Sequence, residues 1–105
     1  MNVPAAFTVV SGRTGRLRLL GELDAVAVPA VWARLEGVDG DVALDCAGLT
    51  FIDASGARLF VALHAACRSR GARLSIVNPS RCVIRLLDVT GLAPAMDVRV
   101  DCSAS

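Results

Sequence analysis

The chain has 105 residues, 54% of them hydrophobic and 20% charged, which is typical of one folded domain and excludes a disordered chain. Its formal net charge of +1 gives no strong attraction to nucleic acid or to an anionic membrane. No apolar stretch approaches the roughly 20 residues that a transmembrane helix needs, and the start of the chain lacks the features of a signal peptide. A cytoplasmic domain is therefore expected.

The first part of the chain predicts a β-hairpin followed by a helix. Residues 7–10 and 16–20 flank the stretch SGRTG, whose two glycines favour a tight reversal. In the stretch AVAVPAVWARLEG, residues 25–37, apolar side chains recur with the spacing of one helical face. The side chains on that predicted stripe are Val28, Val31, Trp32 and Leu35.

The rest of the chain alternates strands and helices. Residues 41–46 predict a short strand, a helix is expected from about 55 to 70, and 73–77 predict another strand. A third helix is expected in SRCVIRLLDVT, then a short strand at 96–100, and residues 101–105 should fray. The order β-β-α-β-α-β-α-(β) predicts a single α/β domain with a small, mixed, mainly parallel β-sheet and an antiparallel first hairpin.

Side chains that could carry catalysis are sparse. The single histidine, His64, has no acid three or four positions away on its predicted helix, and the chain contains no lysine for a phosphate-binding Gly-Lys pair. Three acids follow predicted strands, at the edge where α/β sheets place their sites and where acids could bind Mg²⁺: Asp24, Asp45 and Asp53. Because nothing else there resembles a metal enzyme, we predict no enzyme, no metal and no cofactor.

The cysteines are widely spaced and form no C-x-x-C pair. The four are Cys46, Cys67, Cys82 and Cys102. Zinc sites need clustered ligand pairs, so most of these cysteines are expected to be buried small hydrophobes. A redox role stays open, with Cys46 the most interesting because it lies just upstream of the motif described next.

The stretch FIDASG places an acid, a hydroxyl and a glycine where a strand passes into a helix. Asp53 is the best candidate to cap the helix, and Ser55 could cap it if the helix starts later. Gly56 removes a Cβ in the first turn, which allows another backbone to come close but lowers helix stability. Helix capping would explain Asp53 or Ser55 alone, but it does not explain the two together with a glycine inside the helix. We therefore interpret the junction as a surface that another protein binds.

Four blocks of the chain resemble, in order, those of a STAS domain: GELD, LDCAGLTFIDASG, RGARLSIVNPS and IRLLDVTGL, with FIDASG the most specific. The resemblance covers about residues 7–92. It implies a small sheet with helices packed on one side. It also implies the function of the bacterial anti-sigma factor antagonists, which bind an anti-sigma factor with a histidine-kinase-like ATPase fold and release the sigma factor. The partner-binding residues implied here are Asp24, Asp53, Ala54, Ser55, Gly56 and Arg58.

The chain departs from the family pattern at the position that is usually phosphorylated. That residue directly follows the Asp and is Ala54 here, which leaves Ser55 as the only hydroxyl in the quartet. Either Ser55 is the acceptor, or the protein is not switched at this site. Ala57 stands where a larger apolar residue is common, and Phe60 could fill that space. The usual last helix after MDVRV is missing, which would favour a homodimer.

Two alternative functions follow from the same residues. Compact stand-alone STAS proteins also bind the ATPase of bacterial lipid-transport complexes, and these too lack the usual acceptor serine. The chain could therefore be a transporter accessory subunit. The cysteines leave open a redox-gated antagonist.

Overall fold

The first two strands form the predicted hairpin. The computed structural model describes residues 7–13 and 15–99. Strands β1 (Phe7–Ser11) and β2 (Arg16–Leu23) pair antiparallel. Gly15 has a φ of +79°, and a Cβ on it would overlap the carbonyl oxygen of Asp41. Only glycine fits this close approach without strain, so the hairpin turn is held against the start of the next strand.

The sheet has five strands in the spatial order of the chain, β1-β2-β3-β4-β5, and every pair after the first is parallel. This confirms the predicted mixed, mainly parallel sheet. The remaining elements are α1 (Val28–Leu35), β3 (Val42–Ile52), α2 (Ala54–Ser69), β4 (Leu74–Val77), α3 (Arg81–Thr90) and β5 (Asp97–Arg99), with a 3₁₀ turn at Ala93–Ala95 before β5.

The helices share one hydrophobic core with the sheet. On the sheet side the core contains Leu19, Leu44 and Ile76, and on the helix side it contains the fully buried Phe60 of α2. The predicted stripe of α1 is correct for Val31 and Leu35, which are buried, but wrong for Trp32, whose side chain is 39% exposed. Trp32 lines a groove between α1 and α2, and part of its indole ring stays exposed there.

Strand β3 is longer than the sequence indicates. The stretch after Cys46 contains Gly48 and Thr50 and resembles a loop, yet it continues the strand to Ile52 through register shifts against β2. The Oδ1 atom of Asp45 accepts a hydrogen bond from the Ala47 backbone N–H at 3.1 Å beside the first shift. The prediction that Asp45 ends a strand is therefore wrong, because the irregularity lets the backbone pairing continue past it.

The C-terminal part matches the prediction of a last short strand over three residues, Asp97–Arg99. The expected fraying of residues 101–105 concerns positions outside the described residues. Within residues 7–13 and 15–99, no helix is long and apolar enough to cross a membrane.

Candidate functional site

Two strand-to-helix turns lie side by side at the carboxyl edge of the parallel strands. Leu23 of β2 is the register partner of Ile52 of β3, and the Asp53 N–H donates to the Leu23 carbonyl at 3.4 Å. The next residues, Asp24 and Asp53, therefore leave the sheet from adjacent strands. We call the six residues that the sequence singled out here the carboxyl-edge site: Asp24, Asp53, Ala54, Ser55, Gly56 and Arg58.

Asp53 is the N-cap of α2, as predicted. Its backbone is extended, with φ −118° and ψ −168°. Its Oδ1 accepts hydrogen bonds from the N–H groups of Ser55 at 2.9 Å and Gly56 at 3.3 Å. Its negative charge also lies at the positive end of the helix dipole. The alternative cap, Ser55, lies inside the first turn of the helix and is not used as the cap.

Asp24 shapes the neighbouring turn in a similar way. Its Oδ1 accepts from the N–H groups of Val26 at 3.1 Å and Ala27 at 3.0 Å, ahead of the start of α1. The hydrogen bonds of both acids to described residues use Oδ1. The edge therefore presents two neighbouring carboxylates whose Oδ2 atoms have no hydrogen-bond partner in the described part of the chain.

The glycine of the motif serves the packing of the chain itself. Gly56 is buried, and a Cβ on it would overlap the Ile52 side chain, lying 2.8 Å from Cδ1, and would lie 3.2 Å from the Leu23 carbonyl oxygen. From the sequence, the missing side chain of Gly56 was expected to leave room for the backbone of another protein. The structure corrects this, because the end of β3 and the end of β2 occupy it. Ala57 is also buried, and it lies three residues before Phe60, on the same face of α2.

The exposed part of the site is small and mixed in character. Ala54 and Arg58 are exposed and lie four residues apart, so they share one face of α2, while Ser55 is half-buried. Val26, in the turn after Asp24, has a side chain that is 87% exposed. Sequence reasoning missed Val26. The signal was an apolar residue placed between a turn-forming Asp and the start of a helix.

Cys46, the cysteine that the sequence singled out, is poorly placed for redox chemistry. Cys46 is fully buried, and that burial, followed by the charge of Asp45, raises the pKa of its thiol far above the usual range. A thiol in this state is a poor nucleophile. Cys82 is half-buried, with its Sγ 3.3 Å from the Ser80 Oγ, and Cys102 lies outside the described residues. Over the described ranges, no three His, Cys, Asp or Glu side chains are grouped to hold a metal.

The fold and this edge define a class of protein: a small α/β domain with helices packed on its sheet and two acid-led turns at the carboxyl edge. A family model described as "Mlab, STAS domain" matches residues 7–97. The chain belongs to the STAS domain family.

Two similar proteins are both named as anti-sigma-B factor antagonists. It is 36% identical over 83 residues to an anti-sigma-B factor antagonist of Staphylococcus epidermidis, covering 74% of this chain and 76% of that protein. It is 27% identical over 88 residues to an anti-sigma-B factor antagonist of Bacillus subtilis, covering 79% of each. The fold resembles that of the anti-sigma factor antagonist SpoIIAA in its unphosphorylated form, with a TM-score of 0.70, 24% identity and coverage of 89% and 87%. These are the names of regulators, in agreement with the prediction that the chain is not an enzyme.

Proposed function

We propose that this domain is an anti-sigma factor antagonist that binds a kinase-like anti-sigma factor through the carboxyl-edge site and so releases the sigma factor. The observation that carries the proposal is the register of Leu23 against Ile52, which brings two acid-led turns together beside an exposed helix start. The names of the relatives at 36% and 27% identity support the antagonist role.

The chemistry of the edge suits a close protein contact. Ala54 is exposed and has only a methyl group, so a partner's backbone can approach the first turn of α2 closely. The Asp24 and Asp53 carboxylates offer acceptors to donors of the partner, and Arg58 offers donors on the same helix face as Ala54. Val26, in the turn after Asp24, adds an exposed apolar side chain to this surface.

Phosphorylation, where it occurs, has one candidate acceptor in the quartet, Ser55. A phosphate there adds a charge of about −1.5 to −2 beside Asp53, whose Oδ1 lies 2.9 Å from the Ser55 N–H. Repulsion and bulk would then remove the partner from the surface. The start of α2 stabilises part of the new charge, so the switch need not unfold the domain. Without an acceptor at Ser55, the protein binds its partner constitutively.

The test starts with the partner recovered with the tagged protein from its native cells. Ala54→Asp and Ser55→Asp should each weaken its binding by about tenfold or more, since each places a third carboxylate at the edge beside Asp24 and Asp53. Ala65→Asp is the matched control, because Ala65 is also exposed on α2, about 16 Å farther along the helix. Equal affinities for all three variants and the unchanged protein would remove the edge as the interface.

A second candidate is an accessory subunit that binds the ATPase of a lipid transporter. The observation in its favour is Ala54, an exposed first helix residue without the hydroxyl that a switched antagonist needs. The same recovery experiment separates the two candidates. A kinase-like anti-sigma factor supports the antagonist, and a transporter ATPase rejects it.

Two further hypotheses from the sequence, a homodimer and redox gating, each have their own test. A homodimer would be detected by sedimentation velocity across a concentration series, and a single monomer species would reject it.

Redox gating would require partner affinity to differ between oxidised and reduced protein. Because Cys46 is buried with a raised thiol pKa, equal affinities are expected.

A further inference from the structure

A cleft of about 300 Å³ lies at the amino ends of the parallel strands, the opposite end of the sheet from the carboxyl-edge site. Four arginines from four segments line it: Arg13, Arg16, Arg73 and Arg99. We propose that this cleft binds a small soluble ligand through a phosphate group, such as a phosphate monoester. The inference concerns a second site and does not depend on the proposed antagonist function.

The segments that carry these arginines are tied together by the backbone. The Ala43 N–H donates to the Gly15 carbonyl at 2.8 Å, which fixes the hairpin turn against β3. The Val42 N–H donates to the Arg73 carbonyl at 2.9 Å, and the Asp41 Oδ1 accepts from the Arg73 N–H at 2.9 Å. The arginines therefore project from a preorganised frame, which lowers the entropy that a ligand must offset on binding.

Arginines outnumber carboxylates among the described residues that line the cleft. Of the four guanidinium groups, Arg16 already has an interaction of its own, and the one lining carboxylate is Asp41. Asp97 lies next to the cleft, against Arg73 and Arg99. Asp97 accepts from Arg99 at 2.7 Å and 2.9 Å and from the Ser75 hydroxyl at 3.1 Å, and the Arg99 hydrogen bond lowers the pKa of that carboxyl. The Arg13 guanidinium has no hydrogen bond or ion pair with any described residue. A phosphate group would supply the acceptors and the negative charge that the described residues do not offer to Arg13.

Arginine also fits the chemistry of the ligand. Its planar group donates two parallel hydrogen bonds to a phosphate, and such charge-assisted bonds are about twice as strong as neutral ones. A compact ligand fits better than a membrane surface, because the arginines line a concave cleft and not a flat face.

The test is a titration of the ¹⁵N-labelled protein with inorganic phosphate at pH 8, with ionic strength held constant by chloride. Saturable shifts are expected in the cleft residues. Arg13→Gln should reduce the affinity several-fold, and Arg13→Gln with Arg99→Gln should reduce it about tenfold or more. Arg85→Gln is the control, because Arg85 is exposed on α3, outside the cleft, and the charge change is the same.

The single Arg13→Gln variant keeps the test decisive if the double variant fails to fold. Shifts that do not saturate, or an equal loss of affinity in Arg85→Gln, would overturn the proposal. So would binding to vesicles containing phosphatidylglycerol without any response to free phosphate, since that result would assign the arginines to a lipid surface.

Discussion

At the scale of the residue, Asp53 has two separable properties, its hydrogen bonds and its charge. Both hydrogen bonds to the first turn of α2 use Oδ1. Asparagine keeps an oxygen that can accept them but has no charge, whereas alanine removes both. The two substitutions therefore distinguish the role of Asp53 in stability from its role in recognition.

We expect Asp53→Ala to lower the free energy of unfolding by about 1 kcal/mol, the usual loss of a helix N-cap. Asp53→Asn should stay within a few tenths of a kcal/mol of the unchanged protein. Urea denaturation followed by circular dichroism measures both. Asp39→Ala removes an exposed acid away from any helix start and serves as the control. A loss as large in Asp53→Asn as in Asp53→Ala would mean that charge, not the cap, stabilises the junction.

Gly56 gives a second prediction at the same scale. Gly56→Ala improves helix propensity by about 1 kcal/mol, but its Cβ would overlap the buried Ile52 side chain and press on the Leu23 carbonyl. Overpacking costs about 1–3 kcal/mol, so we expect a net destabilisation. Gly40→Ala is the matched control, because a Cβ on Gly40 meets no atom within 4 Å. If the two variants unfold at the same urea concentration, the close packing at Gly56 is not needed.

At the scale of the element, the short strand β5 is attached to β4 by side chains as well as by its backbone ladder. Ser75 of β4 donates to Asp97 of β5, and Arg73 and Arg99 lie against the same carboxylate. The hydrogen bond from Arg99 is the first cause of the lowered pKa of Asp97. A strand of three residues has few ladder bonds, so these contacts matter more to it than to β3.

This pKa gives a pH dependence with a definite sign. A carboxyl whose pKa is lower in the folded than in the unfolded state stabilises the fold above its unfolded pKa, about 3.9. That stabilisation is lost as the pH falls through the lower, folded value. Asp97→Asn should therefore be less stable than the unchanged protein at pH 7, and the difference should shrink below about pH 4. Urea titrations at several pH values measure it, and a difference that does not change with pH would contradict the assignment.

At the scale of the whole molecule, one core joins the three helices to the middle strands of the sheet. Side chains of β2, β3 and β4 and of the three helices belong to a single hydrophobic cluster. The two proposed sites lie at opposite ends of the sheet, one at the carboxyl and one at the amino ends of the parallel strands.

A shared core predicts cooperative unfolding. The fluorescence of Trp32, the single tryptophan, reports on α1, and far-ultraviolet circular dichroism reports on all helices and strands. Both signals should follow one urea transition with the same midpoint, as expected for a domain of this size. An earlier midpoint for Trp32 would mean that α1 detaches before the sheet unfolds.

By itself, the sequence determined the order of elements, the mainly parallel sheet, the approximate start of α2 with Asp53 as its best candidate cap, and the edge where that start lies. These follow from local patterns: apolar periodicity, a capping residue and glycines at turns. Only the tertiary structure decided the length of β3, the exposure of Trp32 and the packing of Ile52 and Leu23 against Gly56. It also decided that four arginines line one cleft. Each of these depends on which strand or helix lies alongside, and residues far apart in the chain, such as Arg13 and Arg99, become neighbours only when the sheet assembles.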